Sequence, residues 1–198
     1  MEQFFIELDK KWKPTGIEPI RLPVIGCSAL LLQIPNFYRG TKDGDVLELH
    51  PLGGSLSDKL KQLAGKGTML SKRCGVYIDL VGNAIPFLPR PPEFKPLDEL
   101  SMRLKNFKID VLDTTDVIVS KLMPYRASDR DDISKVIELG LLSTDKLIER
   151  FETAKEMWLL GSRAAKLPQC IANLNAILRD AFNVAEVSMD VPDWIHEV

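Results

Sequence analysis

The sequence predicts an α/β fold in which a mixed sheet with flanking helices is followed by an all-helical C-terminal part. In the first half, short apolar runs that suit buried strands alternate with helical patterns, while only helical periodicity follows Asp113. A chain of 198 residues, 45% of them hydrophobic, is also long enough to bury a substantial core. We therefore expect an α/β domain over residues 1–112 and a helical domain over residues 113–198.

The chain opens with a helix, a strand and a second helix. Apolar residues from Phe4 to Trp12 recur at helical spacing, and the turn at Pro14–Gly16 closes that helix. The apolar run Leu22–Ile25 predicts a buried strand, and Ser28–Gln33 has the composition of a helix that starts near Ser28. The strand must then turn sharply into a helix N-terminus.

This turn has the features of a phosphate-binding site. Gly26 and Ser28 carry small side chains and leave the backbone open. Exposed N–H groups and the positive end of the helix dipole can therefore receive phosphate oxygens. A Gly-x-Ser before a helix is weak evidence for such a site when it stands alone.

Two aspartates follow at a spacing that brings them together. Asp43 and Asp45 lead into the apolar strand Val46–Leu49, and residues two apart in an extended segment share one face. Adjacent carboxylates repel each other, but a divalent cation between them reverses that balance and leaves coordination positions free for the phosphates of a nucleotide. The pattern favours Mg²⁺ or Mn²⁺ at Asp43 and Asp45.

Two later strands offer candidates for a third carboxylate. Gly75–Val81 has a strand pattern with Asp79 in its middle, and Phe107–Leu112 reads as a last short strand that carries Asp110. Either carboxylate is a candidate partner for Asp43 and Asp45. Between the two strands, residues 84–98 hold five prolines, which predicts an irregular segment.

Helical patterns account for most of the remaining chain. Residues 51–54 read as a turn, and the predicted helices are Ser55–Ala64, Thr115–Tyr125, Asp129–Leu139, Ser143–Leu160 and Lys166–Phe182. Carboxylates at the start of the helix that begins at Asp129 suit the helix dipole whatever the function of the protein.

Charge and cysteine content argue against several classes of protein. A net charge of −2 supplies no global basic field, so any contact with RNA has to be local. The basic cluster Lys59, Lys61, Lys66, Lys72 and Arg73 is explained most simply as a solvated helix face.

Three scattered cysteines and two histidines argue against a zinc site and a disulfide scaffold. No apolar run approaches the length of a membrane span, so we expect a cytoplasmic protein.

In combination, these motifs resemble the signature of the polymerase-beta-like nucleotidyltransferase superfamily. The Gly-x-Ser at residues 26–28 is followed, after about ten residues, by Arg-x-Thr-x-Asp-x-Asp at residues 39–45 and then by an apolar strand. Downstream, a Lys-Leu at residues 121–122 and an Arg-x-x-Asp-x-x-Asp-Ile at residues 126–133 look like motifs of the bacterial abortive-infection, toxin–antitoxin-type branch.

The resemblance implies a metal-dependent transfer of a nucleoside monophosphate from a nucleoside triphosphate to an acceptor hydroxyl. It implies a catalytic set of Asp43, Asp45, Asp79 and Lys121, in which the three aspartates hold the metal. The superfamily carries its third catalytic carboxylate in a strand like that of Asp79, so Asp79 ranks above its competitor Asp110. It implies nucleotide contacts from Gly26, Ser28, Arg39, Thr41, Lys121 and Asp129. As the toxin of a toxin–antitoxin pair, the protein would act on tRNA or on a protein and would have a cognate antitoxin.

Two positions depart from the family pattern and leave alternatives open. Cys27 stands where the family usually has a second glycine, and its larger side chain would narrow the phosphate turn. Gly44 stands where a β-branched residue is common, which predicts a strand that starts late or bulges. The alternatives are an aminoglycoside-type antibiotic nucleotidyltransferase and a catalytically silent binding module with the same fold.

Overall fold

The chain folds into two compact units. A computed structural model describes residues 1–13, 16, 18–37, 39–48, 54–159 and 163–192. The first unit comprises Met1–Pro86 and Glu93–Asp113, and the second comprises Phe87–Pro92 and the chain from Thr114 onward. The expectations for Pro14 and Thr15 in the first turn, for Leu49, for residues 51–53 and for a helix end at Leu160 lie outside the described residues.

The first unit is built on a mixed sheet with five described strands. They are β1 (Ile20–Val24), β2 (Asp43–Glu48), β3 (Tyr77–Gly82), β4 (Phe94–Pro96) and β5 (Phe107–Leu112). Their order across the sheet is β3-β2-β1-β5-β4. The pairs β1–β2 and β4–β5 are antiparallel, whereas β1–β5 and β2–β3 are parallel. Together with the helices described below, this sheet confirms the predicted fold class.

The two faces of the sheet differ in polarity. Residues in register on neighbouring strands point to the same face, and alternate residues of one strand share a face. Val24 pairs with Val46, and both are fully buried, so they belong to an apolar face. Asp43 and Asp45 alternate with Val46 and therefore lie on the opposite face, which also carries Asp79 because it is in register with Asp45.

The first unit also contains five described helices. They are α1 (Glu2–Lys11), α2 (Gly26–Gln33), α3 (Gly54–Ala64), α4 (Met69–Cys74) and α5 (Asp98–Ser101). Trp12, which follows α1, packs edge to face on Phe107 with ring centroids 5.1 Å apart. Phe107 is fully buried in β5, and burial of a ring of this size stabilises the fold by about 1.5–3 kcal/mol. The segment around α1 therefore helps to cover the apolar face.

The second unit is helical, apart from the segment Phe87–Pro92. Its helices are α6 (Thr114–Leu122), α7 (Ala127–Glu138), α8 (Thr144–Trp158) and α9 (Leu167–Phe182). Arg150 on α8 makes a bidentate ion pair with Asp116 on α6 at 2.7 and 2.6 Å, and it also donates to the carbonyl oxygen of Pro91 at 2.9 Å. These contacts fix the segment of Pro91 to the helices. Among the described residues, no helix is both long and apolar enough to cross a membrane.

Two sequence expectations in the first unit are wrong. Gly44 does not delay or distort its strand, because β2 starts at Asp43 and pairs with β3 in one continuous register. The sulfur of Met1 lies 3.9 Å from the place that a Cβ on Gly44 would take, so a neighbour fills the space beside it. Within residues 84–98, Phe94–Pro96 forms a strand, and Pro96 is tolerated because β4 is the last strand of the described sheet.

Helices in both units also differ from expectation, and one of them, α5, was not predicted at all. The helix predicted over Thr115–Tyr125 ends at Leu122, because Pro124 follows and Tyr125 has a left-handed φ of 41°. Helix α4 was not predicted, although Thr68 caps it by accepting a hydrogen bond from the Ser71 N–H. These differences leave the positions of the predicted site residues in β2 and β3 unchanged.

Candidate functional site

Strand β2 presents two carboxylates on the polar face of the sheet. Asp43 and Asp45 are half-buried and alternate with the buried Gly44 and Val46. The hydroxyl of Thr41 donates to Oδ1 of Asp43 at 2.5 Å, which fixes the orientation of that carboxylate. The strand therefore holds two oxygen donors side by side, one of them positioned by a neighbouring side chain.

The N-terminus of α2 lies beside these carboxylates. The Ile25 N–H donates to the carbonyl oxygen of Asp45 at 2.9 Å, and the Ser28 hydroxyl donates to the carbonyl oxygen of Asp43 at 2.6 Å. Gly26 has a left-handed φ of 64°, and a Cβ there would lie 2.8 Å from Oδ2 of Asp45. No side chain at Ile25 caps the helix. The positive end of α2 therefore lies next to the aspartates, and a helix N-terminus favours negatively charged groups.

Strand β3 adds a third carboxylate and an aromatic ring. Asp79 is exposed and in register with Asp45, on strands that are about 4.8 Å apart in an ordinary sheet. Tyr77 is in register with Asp43 on the same face. Burial raises the pKa of the Tyr77 hydroxyl, and the negative charges of Asp43, Asp79 and Asp45 raise this pKa further. The charges of all three carboxylates therefore disfavour ionisation of the same Tyr77 hydroxyl.

Asp110, the competing third carboxylate, is engaged elsewhere. Arg21 donates to both of its oxygens, at 3.0 and 2.7 Å, and the residue is 8% exposed. Asp110 is on β5 and in register with Pro23 of β1. Asp45 is on β2, and its carbonyl oxygen accepts a hydrogen bond from the Ile25 N–H, just after β1. Asp110 therefore lies two strands away from Asp45 and at a different level along the strands. By position, Asp79 is the neighbour of Asp45.

The donor set suits a hard divalent cation that arrives with other oxygen ligands. Within the described part of the chain, no group of three or more His, Cys, Asp or Glu side chains is arranged to hold a metal ion. Asp43 and Asp45 remain as two carboxylates on one face, and Mg²⁺ is commonly held by one or two carboxylates with phosphates and waters completing its shell. These residues fit a cation shared with a nucleotide and do not form a complete protein cage.

Arg39 and Thr41 border a cavity of the first unit. This cavity of about 380 Å³ is also lined by residues at the start of α1 and in α2, including Leu31 and Leu32. Ser28, by contrast, is fully buried and engaged with the backbone of β2. The nucleotide contacts expected from these residues stay predictions.

A comparison with protein families gives the chain its classification. A family model described as a nucleotidyltransferase of unknown function (DUF6036) matches residues 5–172. The chain belongs to this nucleotidyltransferase family. Comparisons with curated proteins and with solved structures found no significant match. The polymerase-beta-like superfamily and its abortive-infection branch stay predictions.

The second unit of this nucleotidyltransferase-family protein holds the downstream motif in a buried ion-pair cluster. The ammonium group of Lys121 on α6 lies 3.1 Å from Asp129 and 2.8 Å from Asp132, and all three side chains are largely buried. Asp129 also accepts a hydrogen bond from the Arg126 N–H at 3.0 Å, which caps the start of α7. Asp129 therefore stabilises its helix and holds Lys121 at the same time.

Sequence reasoning missed three features of this candidate site. It did not find the close approach of Gly26 to Asp45, the hydrogen bond from Thr41 to Asp43, or the ring of Tyr77 on the carboxylate face. Two of them have a signal in the alternation of residues: Thr41 precedes Asp43 by two, and Tyr77 precedes Asp79 by two. The approach of Gly26 depends on tertiary packing and has no local signal.

Proposed function

We propose that the protein is a metal-dependent nucleotidyltransferase that moves a nucleoside monophosphate from a nucleoside triphosphate to an acceptor hydroxyl. The observation that carries this proposal is the approach of the α2 N-terminus to the paired carboxylates Asp43 and Asp45. Membership in a nucleotidyltransferase family supports it. An anion-binding helix end beside two hard oxygen donors suits a triphosphate that carries a divalent cation.

In this proposal the nucleotide lies between α2 and β2. The first amides of α2 receive its phosphates, because Gly26 lets the helix N-terminus lie close to Asp45 and the helix dipole favours negative charge. Its remaining contacts come from Arg39 and Thr41, of which Thr41 also orients Asp43. Ser28 supports the site from within the fold, because its hydroxyl donates to the carbonyl oxygen of Asp43.

Asp43 and Asp45 would hold Mg²⁺ or Mn²⁺, and Asp79, exposed on the neighbouring strand, would turn toward the bound cation as a third ligand. A cation bound there would neutralise phosphate charge and polarise the phosphate oxygens. Asp79 orients the acceptor hydroxyl and accepts its proton as the acceptor oxygen bonds to the α-phosphorus. The bond from that phosphorus to the pyrophosphate oxygen breaks, and pyrophosphate leaves.

Lys121 is proposed to offset the charge that builds on the leaving pyrophosphate, a preorganised electrostatic role. Asp129 acts through Lys121 as a positioning residue, since its carboxylate lies 3.1 Å from the ammonium group. Asp132 holds the same ammonium group at 2.8 Å. The assignment of Lys121 rests on the resemblance of its motif.

The acceptor and the biological setting rest on the same resemblance. We propose a cytoplasmic toxin of a toxin–antitoxin pair that modifies tRNA or a protein and is restrained by a cognate antitoxin. Transfer to an aminoglycoside would identify the first alternative, an antibiotic-modifying enzyme. Nucleotide binding without any transfer would identify the second alternative, a silent binding module.

A transfer assay tests the proposal. The protein is incubated with each α-labelled nucleoside triphosphate, Mg²⁺ and cell lysate, and the label is followed into RNA, protein and small molecules. We expect transfer by the wild type, loss with Asp43→Asn, and loss with Asp79→Asn while triphosphate binding changes by about threefold or less, because Asp79 serves the acceptor. Asp58→Asn, an exposed aspartate on α3, is the control and keeps full transfer.

A further inference from the structure

The chain that follows α9 lies against the helical unit as an extended segment. Residues 184–192 form no helix, turn or bend, and no described strand pairs with them. Half-buried and exposed side chains alternate along this segment, and the half-buried ones are the apolar residues Val187, Met189 and Val191. A period of two is that of a β-strand with one packed face. The 184–192 segment therefore has the form of a strand without a sheet.

The side-chain amide of Asn175 on α9 holds the backbone of this segment. Its Nδ2 donates to the carbonyl oxygen of Val187 at 3.1 Å, and its Oδ1 accepts from the Val187 N–H at 3.0 Å. A neighbouring strand makes the same two bonds to one residue of an antiparallel pair. Asn175 therefore recognises an extended backbone, whatever the side chain of the residue that it binds.

Two cations on the helices lie to either side of this amide contact. Arg179, one turn further along α9, pairs with Glu186 at 2.7 Å. Lys155 on α8 donates to the carbonyl oxygen of Asp190 at 3.4 Å, and it is only 7% exposed. From residue 183 onward the sequence has four acidic residues and no lysine or arginine. The charges of the segment and of the helices that hold it are complementary.

The helical side of this contact does not depend on the segment. Arg179 also pairs with Asp180, and Lys155 also pairs with Glu152, so both cations have an acidic neighbour on their own helix. The pair of Arg179 with Glu186 is more than half exposed on both sides, and exposed pairs contribute little to stability. A segment held by so few contacts can be displaced from a surface that is already formed.

We propose that this surface of α8 and α9, centred on Asn175, is a binding site for an extended acidic segment of a partner protein. The 184–192 segment occupies the site as an internal competitor. Main-chain bonds supply affinity and alternate side chains supply selectivity in sites of this kind, so sequences other than the protein's own fit. The cations Arg179 and Lys155 favour an acidic segment over a basic one. This inference does not depend on the proposed transfer reaction.

Peptide binding to a full chain whose own segment has been released tests the site. Val187→Pro removes the N–H that Asn175 accepts, so it should release the segment without changing a helix. The probe is a fluorescent peptide with the sequence of residues 183–192, and its binding is followed by anisotropy. We expect Val187→Pro to bind it at least about tenfold more tightly than the wild type, in which the tethered segment competes.

Matched variants separate the site from general effects. Ser188→Pro places the same ring one residue further on, where no described contact uses the N–H, and should bind the peptide as weakly as the wild type. Asn175→Ala combined with Val187→Pro removes the amide and keeps a strong helix former in α9. This double variant should bind the peptide at least about tenfold more weakly than Val187→Pro alone.

Two altered peptides test the chemistry of the partner. Leucine at the three apolar positions should leave the affinity for Val187→Pro within about threefold, because the backbone contact is kept. Lysine at the positions of Glu186 and Asp190 should weaken binding at least about fivefold, because it places like charges beside Arg179 and Lys155. Equal binding of the acidic and the lysine peptides would show that the site does not select an acidic partner.

The remaining outcomes decide the site and its occupant. If Val187→Pro does not bind the peptide, or binds it equally well after Asn175→Ala, the site is wrong. We expect the wild type to sediment as a monomer at all concentrations. A dimer that forms with rising concentration, or binding of the protein's own sequence but not of the leucine peptide, would assign the site to the segment of a second copy and overturn the proposal of a partner protein.

Discussion

Gly26 and Asp45 approach each other so closely that a Cβ on residue 26 would lie 2.8 Å from Oδ2 of the aspartate. Gly26 also has a φ of 64°, a region that costs a residue with a side chain about 1–2 kcal/mol. Gly26→Ala should therefore lower the free energy of unfolding by about 1–2 kcal/mol and turn the Asp45 carboxylate away. We expect Mg²⁺-dependent nucleotide affinity, measured by calorimetry, to fall at least about tenfold.

Gly75→Ala is the matched control for this substitution. Gly75 has a φ of 70°, and nothing lies within 4 Å of the place that its Cβ would take. It should lose similar stability and keep its nucleotide affinity. Equal affinities for the two variants would show that the contact between residue 26 and Asp45 has no part in binding.

Thr41 should matter through its hydrogen bond to Asp43. Thr41→Val keeps the shape of the side chain but removes the donor to Oδ1 of Asp43, so the carboxylate loses its fixed orientation. We expect Mg²⁺-dependent nucleotide affinity to fall about three- to tenfold, while Thr41→Ser, which keeps the hydroxyl, remains close to the wild type. Equal affinity of Thr41→Val and the wild type would mean that Asp43 is positioned by other contacts.

Lys121→Ala should destabilise the protein strongly. The substitution leaves the carboxylates of Asp129 and Asp132 buried without the ammonium group that lies 3.1 and 2.8 Å from them. Breaking a buried ion pair in this way costs about 3–5 kcal/mol, which urea unfolding would measure. Lys135→Ala removes an exposed partner of Glu138 on α7 and should cost less than about 1 kcal/mol. If Lys121→Ala also lowered the free energy of unfolding by less than about 1 kcal/mol, the buried ion pair would not stabilise the fold.

Cys170 should be chemically inert in the folded protein. Burial raises the pKa of its thiol from 9.0 to about 12, an effect that nearby Lys166 partly offsets. At pH 8.5 the folded thiol stays protonated, so a thiol reagent should modify Cys170 only after denaturation, as peptide mapping would show. Between about pH 9 and 12 the unfolded thiol ionises and the folded one does not, so stability should decline as pH rises through this range. Rapid labelling of Cys170 under native conditions would refute its burial.

Local sequence patterns were sufficient to predict the strand that carries the site. Asp43 and Asp45 alternate with apolar residues, and this period of two predicts both the strand and the shared face. The expected disturbance at Gly44 was wrong because its pairing with Ile78 and the sulfur of Met1 nearby are tertiary contacts, which outweigh the low strand propensity of glycine.

Local sequence patterns did not predict which strands, distant along the chain, pair with each other. Strand β1 pairs in parallel with β5, so Ile20 is in register with Phe107. Most of the sequence of the first unit lies between these two residues. No local pattern specifies that register, and the strand at Phe94–Pro96 exists only because β5 offers it a partner. Asp79 could be ranked above Asp110 from the motif alone, but the ion pair of Asp110 with Arg21 became visible only in the fold.

The central claim is that Asp43 and Asp45 bind a divalent cation together with a nucleotide. Calorimetry with a non-hydrolysable nucleoside triphosphate, in Mg²⁺ and in EDTA, tests it most directly, with Asp58→Asn as the control. We expect Mg²⁺ to raise the affinity of the wild type at least about tenfold, because the two carboxylates complete a coordination shell only with phosphate oxygens. Asp43→Asn and Asp45→Asn should lose this gain, while their affinities in EDTA remain similar to that of the wild type. An undiminished Mg²⁺ effect in both variants would contradict the account.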